Sequence, residues 1–143
     1  LLVVLGDGLK AALAMVLAKI LVGPQAVLYA GCVAVLGHIF PVYYGFKGGK
    51  GVMSAAAMIL VFDWRIFLFV LAVFLLVAVF TRYVSLASIM AAVAFAAGLL
   101  VCYRDHSGYL AAGLCTAVIV VWKHRSNIKR LLHGEESKLG KKK

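Results

Sequence analysis

Two lysines set among glycines, Lys47-Gly48-Gly49-Lys50-Gly51, form the segment best equipped to hold an anion. Glycine lets backbone approach a phosphate closely and adopts positive φ at little cost. An apolar run starts at Val52, so the free amides of a helix N-terminus would face the bound group, and Lys47 and Lys50 add charge. The spacing is not that of the nucleotide P-loop, G-x-x-x-x-G-K-[ST]. Tyr44 stands where its first glycine belongs and Gly51 where Ser or Thr belongs. A phosphate site and a flexible turn carrying topology-setting lysines are both consistent with this segment.

A second candidate lies near the C-terminus. His124 and Asn127 are three apart and share a face if the segment is helical. Arg125, Lys129 and Arg130 crowd round them. That arrangement suits a phosphorylated ligand, and it equally suits a juxtamembrane stretch on anionic lipid. Asp7 and Lys10, also three apart, sit inside an apolar run, where ionisable groups are costly and often functional; a mutual ion pair is the structural alternative. His38 precedes Phe40-Pro41 and reads as an interior polar group or a catalyst. Ser85 and Ser88 follow Arg82 and can act as helix caps or sit level with the glycine loop.

The elements that position these groups follow from composition. Of 143 residues, 65% are hydrophobic and 14% charged, and the mean hydropathy is +1.06. A soluble domain is nearer half apolar and a quarter charged, and one this small cannot hide the excess. Cys32, Cys102 and Cys115 form no C-x-x-C pair and are odd in number, so neither a disulfide framework nor a zinc site is expected. No metal or cofactor is implied. The formal charge of +10 does not indicate nucleic acid, because eight of the fifteen Lys and Arg fall in the last 21 residues, beyond the apolar part.

Apolar runs span Leu1 to about Leu21, Gln25 to about Tyr44, Val52–Phe62, Trp64–Phe80, Ser85–Val101 and Ser107–Trp122. These predict an all-α polytopic transmembrane helix bundle of about six segments over residues 1–122, with its glycine-lysine loop at 45–51. Residues 123–143 form a basic C-terminal segment. The Val52 run is too short to cross about 30 Å of hydrocarbon and must pack inside the bundle as a short or half-spanning helix. No secretory signal peptide is expected at the start. Lys47, Lys50, Arg82 and the tail fall on one side, so the positive-inside bias places that side in the cytoplasm.

Together the motifs resemble a known family. Gly37-His38-Ile39-Phe40-Pro41-Val42-Tyr43-Tyr44-Gly45-Phe46-Lys47-Gly48-Gly49-Lys50-Gly51-Val52 is similar to the glycine-rich signature of the bacterial acyl-phosphate-dependent glycerol-3-phosphate acyltransferases. Arg82-Tyr83-Val84-Ser85-Leu86-Ala87-Ser88-Ile89 resembles that family's serine-containing loop. His124-Arg125-Ser126-Asn127-Ile128-Lys129-Arg130-Leu131-Leu132-His133-Gly134-Glu135 resembles its C-terminal motif, and Asp7-Gly8-Leu9-Lys10 matches its Asp-x-x-Lys. These ordered matches cover nearly the whole chain.

The resemblance implies a seven-helix bacterial inner-membrane enzyme that acylates the 1-hydroxyl of glycerol 3-phosphate, giving lysophosphatidate. The donor would be acyl phosphate. The family's first helix and its Ser-Gly-Asn-Pro-Gly-Ala-Thr-Asn loop have no counterpart here, Leu1 falling where the second family helix begins. The resemblance makes His124 and Asn127 essential groups of the site. It gives glycerol 3-phosphate to the loop of Lys47, Gly48, Gly49, Lys50 and Gly51, and makes Ser85 a phosphate hydrogen-bond donor. His38, Asp7 and Lys10 support the site, and Glu135 ties the tail to a basic neighbour. The implied partners are acyl phosphate, glycerol 3-phosphate and membrane lipid. The rival reading is a non-enzymatic or transporter-type bundle with an anion-binding loop.

Overall fold

A computed structural model describes residues 2–140; Leu1 and the Lys141–Lys143 end of the basic tail lie outside the described residues. Seven α-helices and no strand occur among them: α1 (Leu2–Leu21), α2 (Val27–Ile39), α3 (Val52–Phe62), α4 (Trp64–Thr81), α5 (Val84–Cys102), α6 (Ser107–Lys123) and α7 (Arg125–Leu132). The helix beyond the six apolar runs is α7. Its Arg, Lys and Asn residues hide it from a search for apolar segments, yet it folds as an amphipathic helix of about two turns against the bundle.

The second run differs in detail from a single helix over Gln25–Tyr44. Short 3₁₀ turns, Pro24–Ala26 and Val42–Tyr44, flank the α-helix. The reason is proline: Pro41 biases the residue before it away from α geometry, and Phe40 lies at φ −125°, ψ 62°. Three segments, Pro24–Tyr44, Trp64–Thr81 and Val84–Cys102, are long and apolar enough to cross a membrane.

α2 and α3 form the middle of the bundle. α1 packs on both, α4 pairs with α5, and α6 closes the ring against α2 and α5. Met15, Leu28, Val35, Met58 and Leu99 are fully buried between them. Close approach depends on small residues, as is general where helices pack in lipid; a Cβ at Gly31 would run into the Met58 and Met15 side chains.

The short helix is the element that makes a site possible. Eleven residues rise only about 16 Å, half of a hydrocarbon core. α3 can still reach the far side because its entry is recessed. Gly51, in the left-handed region at φ +78°, packs against Ile39 and Val35 on the last two turns of α2. The loop before α3 therefore folds down alongside α2 and leaves a polar recess at the tail end of the bundle.

Candidate active site

The recess is a cleft of about 440 Å³. Lys50 and Val52 reach it from the glycine loop and the start of α3. Ser85 and Ser88 come from the first turns of α5, and His124 and Asn127 from the α6–α7 junction. The returning tail supplies Glu136, Lys138 and Leu139. Four of the expected site residues, Lys50, Ser85, His124 and Asn127, thus meet in one place although up to 77 positions separate them in sequence.

His124 is 1% exposed. It sits where α6 stops and α7 begins, at φ −89°, ψ 7°, so the break between the helices turns its ring inward. Nδ1 lies 2.8 Å from the Val120 carbonyl. A carbonyl can only accept, so in the neutral ring Nδ1 carries the proton and Nε2 is left as an acceptor. Burial holds the imidazole below the ordinary histidine range, and the Lys50 charge adds to that; the Val120 hydrogen bond opposes it. The ring is therefore neutral near pH 7.

Asn127 is 3% exposed, and its Nδ2 donates to Glu136 Oε1 at 2.6 Å. The carboxylate accepts only, which fixes the amide orientation and leaves Asn127 Oδ1 buried without a partner. Arg130 Nε donates to the other oxygen, Glu136 Oε2, at 2.7 Å. Burial pushes the Glu136 carboxyl up, but the hydrogen-bonding groups around it prevail and bring it down to about 2. The Ser85 hydroxyl faces the same carboxylate without a well-formed hydrogen bond. Among the described residues, Ser85 Oγ and Asn127 Oδ1 are the buried side-chain polar atoms left unpaired. Both line this cleft.

The tie expected at Glu135 is a correction. Glu135 is exposed, and Glu136 makes the bonds to Asn127 and Arg130. Gly134, at φ +71°, ends α7 with Glu135 N bonded to the Arg130 carbonyl at 2.8 Å. That cap turns the next residue, Glu136, back onto the helix. The Asn127–Glu136 separation of nine is not a helix-face spacing, which is why periodicity could not find it.

The glycines of the loop lie close against α2. A Cβ at Gly48 would strike the His38 and Ile39 carbonyls, and one at Gly49 would meet the His38 ring. These two positions seat the loop on the C-terminal turn of α2, and Gly51 turns it into α3. Lys47 is exposed and does not line the cleft. Beneath the loop, Asp7 Oδ1 lies 2.8 Å from Lys10 Nζ and 3.1 Å from His38 Nδ1. Asp7, Lys10 and His38 form a cluster that braces the loop from α1 and stands apart from the residues of the cleft.

A second, apolar cavity of about 260 Å³ runs between α3, α4, α5 and α6. It is lined by Ile59, Phe67, Phe74 and Phe95 among others, and it shares Val52 and Ser88 with the cleft. A charged recess therefore adjoins an apolar one. Among the described residues no group of three or more His, Cys, Asp or Glu could hold a metal ion.

Known proteins share this sequence and this fold. The family model described as "Glycerol-3-phosphate acyltransferase" matches residues 1–134. The chain is 39% identical over 137 residues to the glycerol-3-phosphate acyltransferase of Francisella tularensis subsp. mediasiatica. That match takes in 95% of this chain and 66% of the relative, so the chain spans just under two thirds of the length of the Francisella proteins. It is 39% identical over 138 residues to the Coxiella burnetii protein of the same name, covering 96% and 70%. Two crystal structures of PlsY (YgiH), an integral membrane glycerol 3-phosphate acyltransferase, superpose on it at 35% identity. The lysophosphatidic acid form gives a TM-score of 0.84 over 97% of this chain and 71% of that one. The glycerol 3-phosphate form gives 0.85 over 97% and 70%. With a family model matched along nearly its whole length, this membrane-spanning helical chain belongs to the glycerol-3-phosphate acyltransferase family.

Proposed function

We propose that the protein transfers an acyl group from acyl phosphate to the 1-hydroxyl of glycerol 3-phosphate, releasing phosphate and lysophosphatidate at the cytoplasmic face of a bacterial inner membrane. The observation that carries this reading is the junction of the two cavities. A recess with an unpaired lysine and unpartnered polar atoms suits phosphate and hydroxyl groups, and the apolar cavity meeting it at Val52 and Ser88 suits a fatty chain. A substrate that is both phosphorylated and acylated fits that shape. The family membership and the likeness to PlsY structures support it.

In this mechanism the acceptor hydroxyl oxygen attacks the acyl carbonyl, and the bond from that carbon to the phosphate oxygen breaks. Acyl phosphate is a mixed anhydride with a good leaving group, so no enzyme nucleophile is required. None of the cysteines lines the cleft. His124 Nε2, neutral and free to accept, takes the hydroxyl proton as the new ester forms. Asn127 Oδ1 accepts from the neighbouring glycerol hydroxyl. Lys50 and the Ser85 hydroxyl hold phosphate oxygens. Catalysis is then positioning and preorganised charge.

The test is radiolabelled glycerol 3-phosphate with purified full-length protein, offered palmitoyl phosphate or palmitoyl coenzyme A. Labelled lysophosphatidate from the phosphate donor alone is expected. Turnover with the thioester and none with acyl phosphate would remove the donor assignment. Movement of glycerol 3-phosphate into sealed vesicles without product would establish the transporter-type alternative.

A further inference from the structure

The chain beyond α7 is more than a basic tail. Glu136 to Leu139 forms a strap across the mouth of the cleft and is fastened at both ends. Glu136 is held by Asn127 and Arg130 at 2.6 and 2.7 Å, and the Leu139 amide donates to the Arg82 carbonyl at 2.7 Å, in the turn between α4 and α5. Between these fastenings lies Lys138. Its Nζ is 5.3 Å from the centre of the Tyr83 ring, and the residue lines the cleft with Lys50, Ser85, His124 and Asn127.

Several other cations near this end have structural partners, and Lys47, Arg82 and Lys129 are exposed and do not line the cleft. Lys10 pairs with Asp7 and Arg130 with Glu136. Lys123 donates to the Ile39 carbonyl, and Arg125 stacks on Trp122. Lys50 and Lys138 line the cleft, and neither is in an ion pair among the described residues. They reach it from different elements, Lys50 from the glycine loop and Lys138 from the α4–α5 side.

We infer that Lys138 is a second phosphate-binding residue, presented to the cleft by the fastened strap and the Tyr83 ring. This rests on the reading above, in which two phosphate groups occupy one recess. Two anions in a partly dry site repel strongly unless each has its own cation. Lys50 serves the phosphate beside the glycine loop; Lys138 serves the one beside Ser85, whose buried hydroxyl makes no well-formed hydrogen bond. The aromatic ring restrains a side chain that would otherwise wander, so less freedom is lost when the phosphate arrives.

The experiment compares full-length parent, Lys138→Gln, Lys138→Arg and, as a distant control, Lys19→Gln. Binding of inorganic phosphate is measured by calorimetry in detergent, and KM is measured for each substrate. Lys138→Gln should weaken phosphate binding and raise one KM about five- to tenfold, the loss of one charge-assisted contact at a rim. Lys138→Arg should recover most of this, and Lys19→Gln should match the parent. A raised acyl-phosphate KM assigns Lys138 to the donor, and a raised glycerol 3-phosphate KM assigns it to the acceptor. Unchanged phosphate affinity with both KM values within about twofold of the parent would overturn the inference. If the parent binds phosphate through Lys138 but transfers no acyl group from acyl phosphate, the proposed donor fails while the phosphate contact stands.

Discussion

At the end of the bundle away from the tail, Asp63 accepts from the Arg65 amide at 2.9 Å and from the Arg65 guanidinium at 3.2 and 3.1 Å. It also accepts from the Tyr103 hydroxyl at 2.9 Å. Around it Tyr103 packs on Phe62 with ring centres 4.9 Å apart, and His106 stacks on Tyr109 at 5.4 Å. At the tail end Glu136 is bound almost as completely, by Asn127 and Arg130. The carboxylates are alike; their partners are not. Arg65 and Tyr103 spend their polar groups on Asp63, and the result is a clamp joining α3, α4 and α5. Asn127 spends one end of its amide on Glu136 and keeps Oδ1 free, with Ser85 Oγ unpaired beside it. A satisfied carboxylate holds structure together, whereas a carboxylate that half-satisfies its partners leaves acceptors and donors aimed into a cavity. A buried unpaired group costs free energy, and that cost is recovered when a ligand pairs it.

The comparison breaks most sharply by mutation. His124→Ala and Asn127→Ala in the full-length protein should each lower kcat by roughly 10²–10³, the usual loss when a preorganised polar contact to the transition state is removed, with insertion unchanged. Asp63→Ala should do the reverse, lowering thermal stability while leaving both KM values within about twofold of the parent. Near-parent turnover in His124→Ala or Asn127→Ala, or a large catalytic loss in Asp63→Ala, would erase the distinction between the two ends.

Next in size are the glycines. Gly48→Ala meets backbone carbonyls that cannot move aside, so it should raise the glycerol 3-phosphate KM by about tenfold or more. Gly51→Ala meets flexible Ile39 and Val35 side chains but carries strain of about 1 kcal/mol at φ +78°, or about fivefold. Equal effects at both positions would show that the loop is not seated on α2 as described.

Glu136→Ala should cost about 1–2 kcal/mol in unfolding measurements through two charge-assisted hydrogen bonds. Glu135→Ala, on the surface, should stay within about 0.5 kcal/mol. The reverse order would restore the tail tie to Glu135.

The smallest effect is in pH. His124 has a lowered pKa in the folded state, so the unfolded chain binds the extra proton first and stability declines as pH falls through the ordinary histidine value of about 6.5. Glu136 is also lowered, from 4.5 to about 2; its contribution is present above 4.5 and lost as pH falls between those values. Melting temperatures from pH 8 to pH 5 should therefore decline below about pH 6.5 in the parent and less in His124→Gln. Stability rising on acidification over that range would contradict a buried neutral His124.

The amino-acid sequence by itself determined the class and the outline. Apolar runs of near-membrane length leave a chain no choice but helices whose backbone groups bond internally, so α1 and α3 to α6 lie close to where hydropathy puts them. Short-range pairs were legible for the same reason: Asp7 and Lys10 meet because three residues is nearly one helical turn. Tertiary structure decided which polar residues share a cavity and which atoms in it stay free. Periodicity gives no sign that Gly134 turns the chain so that Glu136 rather than Glu135 faces Asn127, since that depends on a left-handed cap. Nor could it separate Gly48 and Gly49, which seat the loop on α2, from Lys50, which faces the cleft. Hydropathy reports what each segment buries, but a site is made by the polar atoms left over after segments from distant parts of the chain have paired.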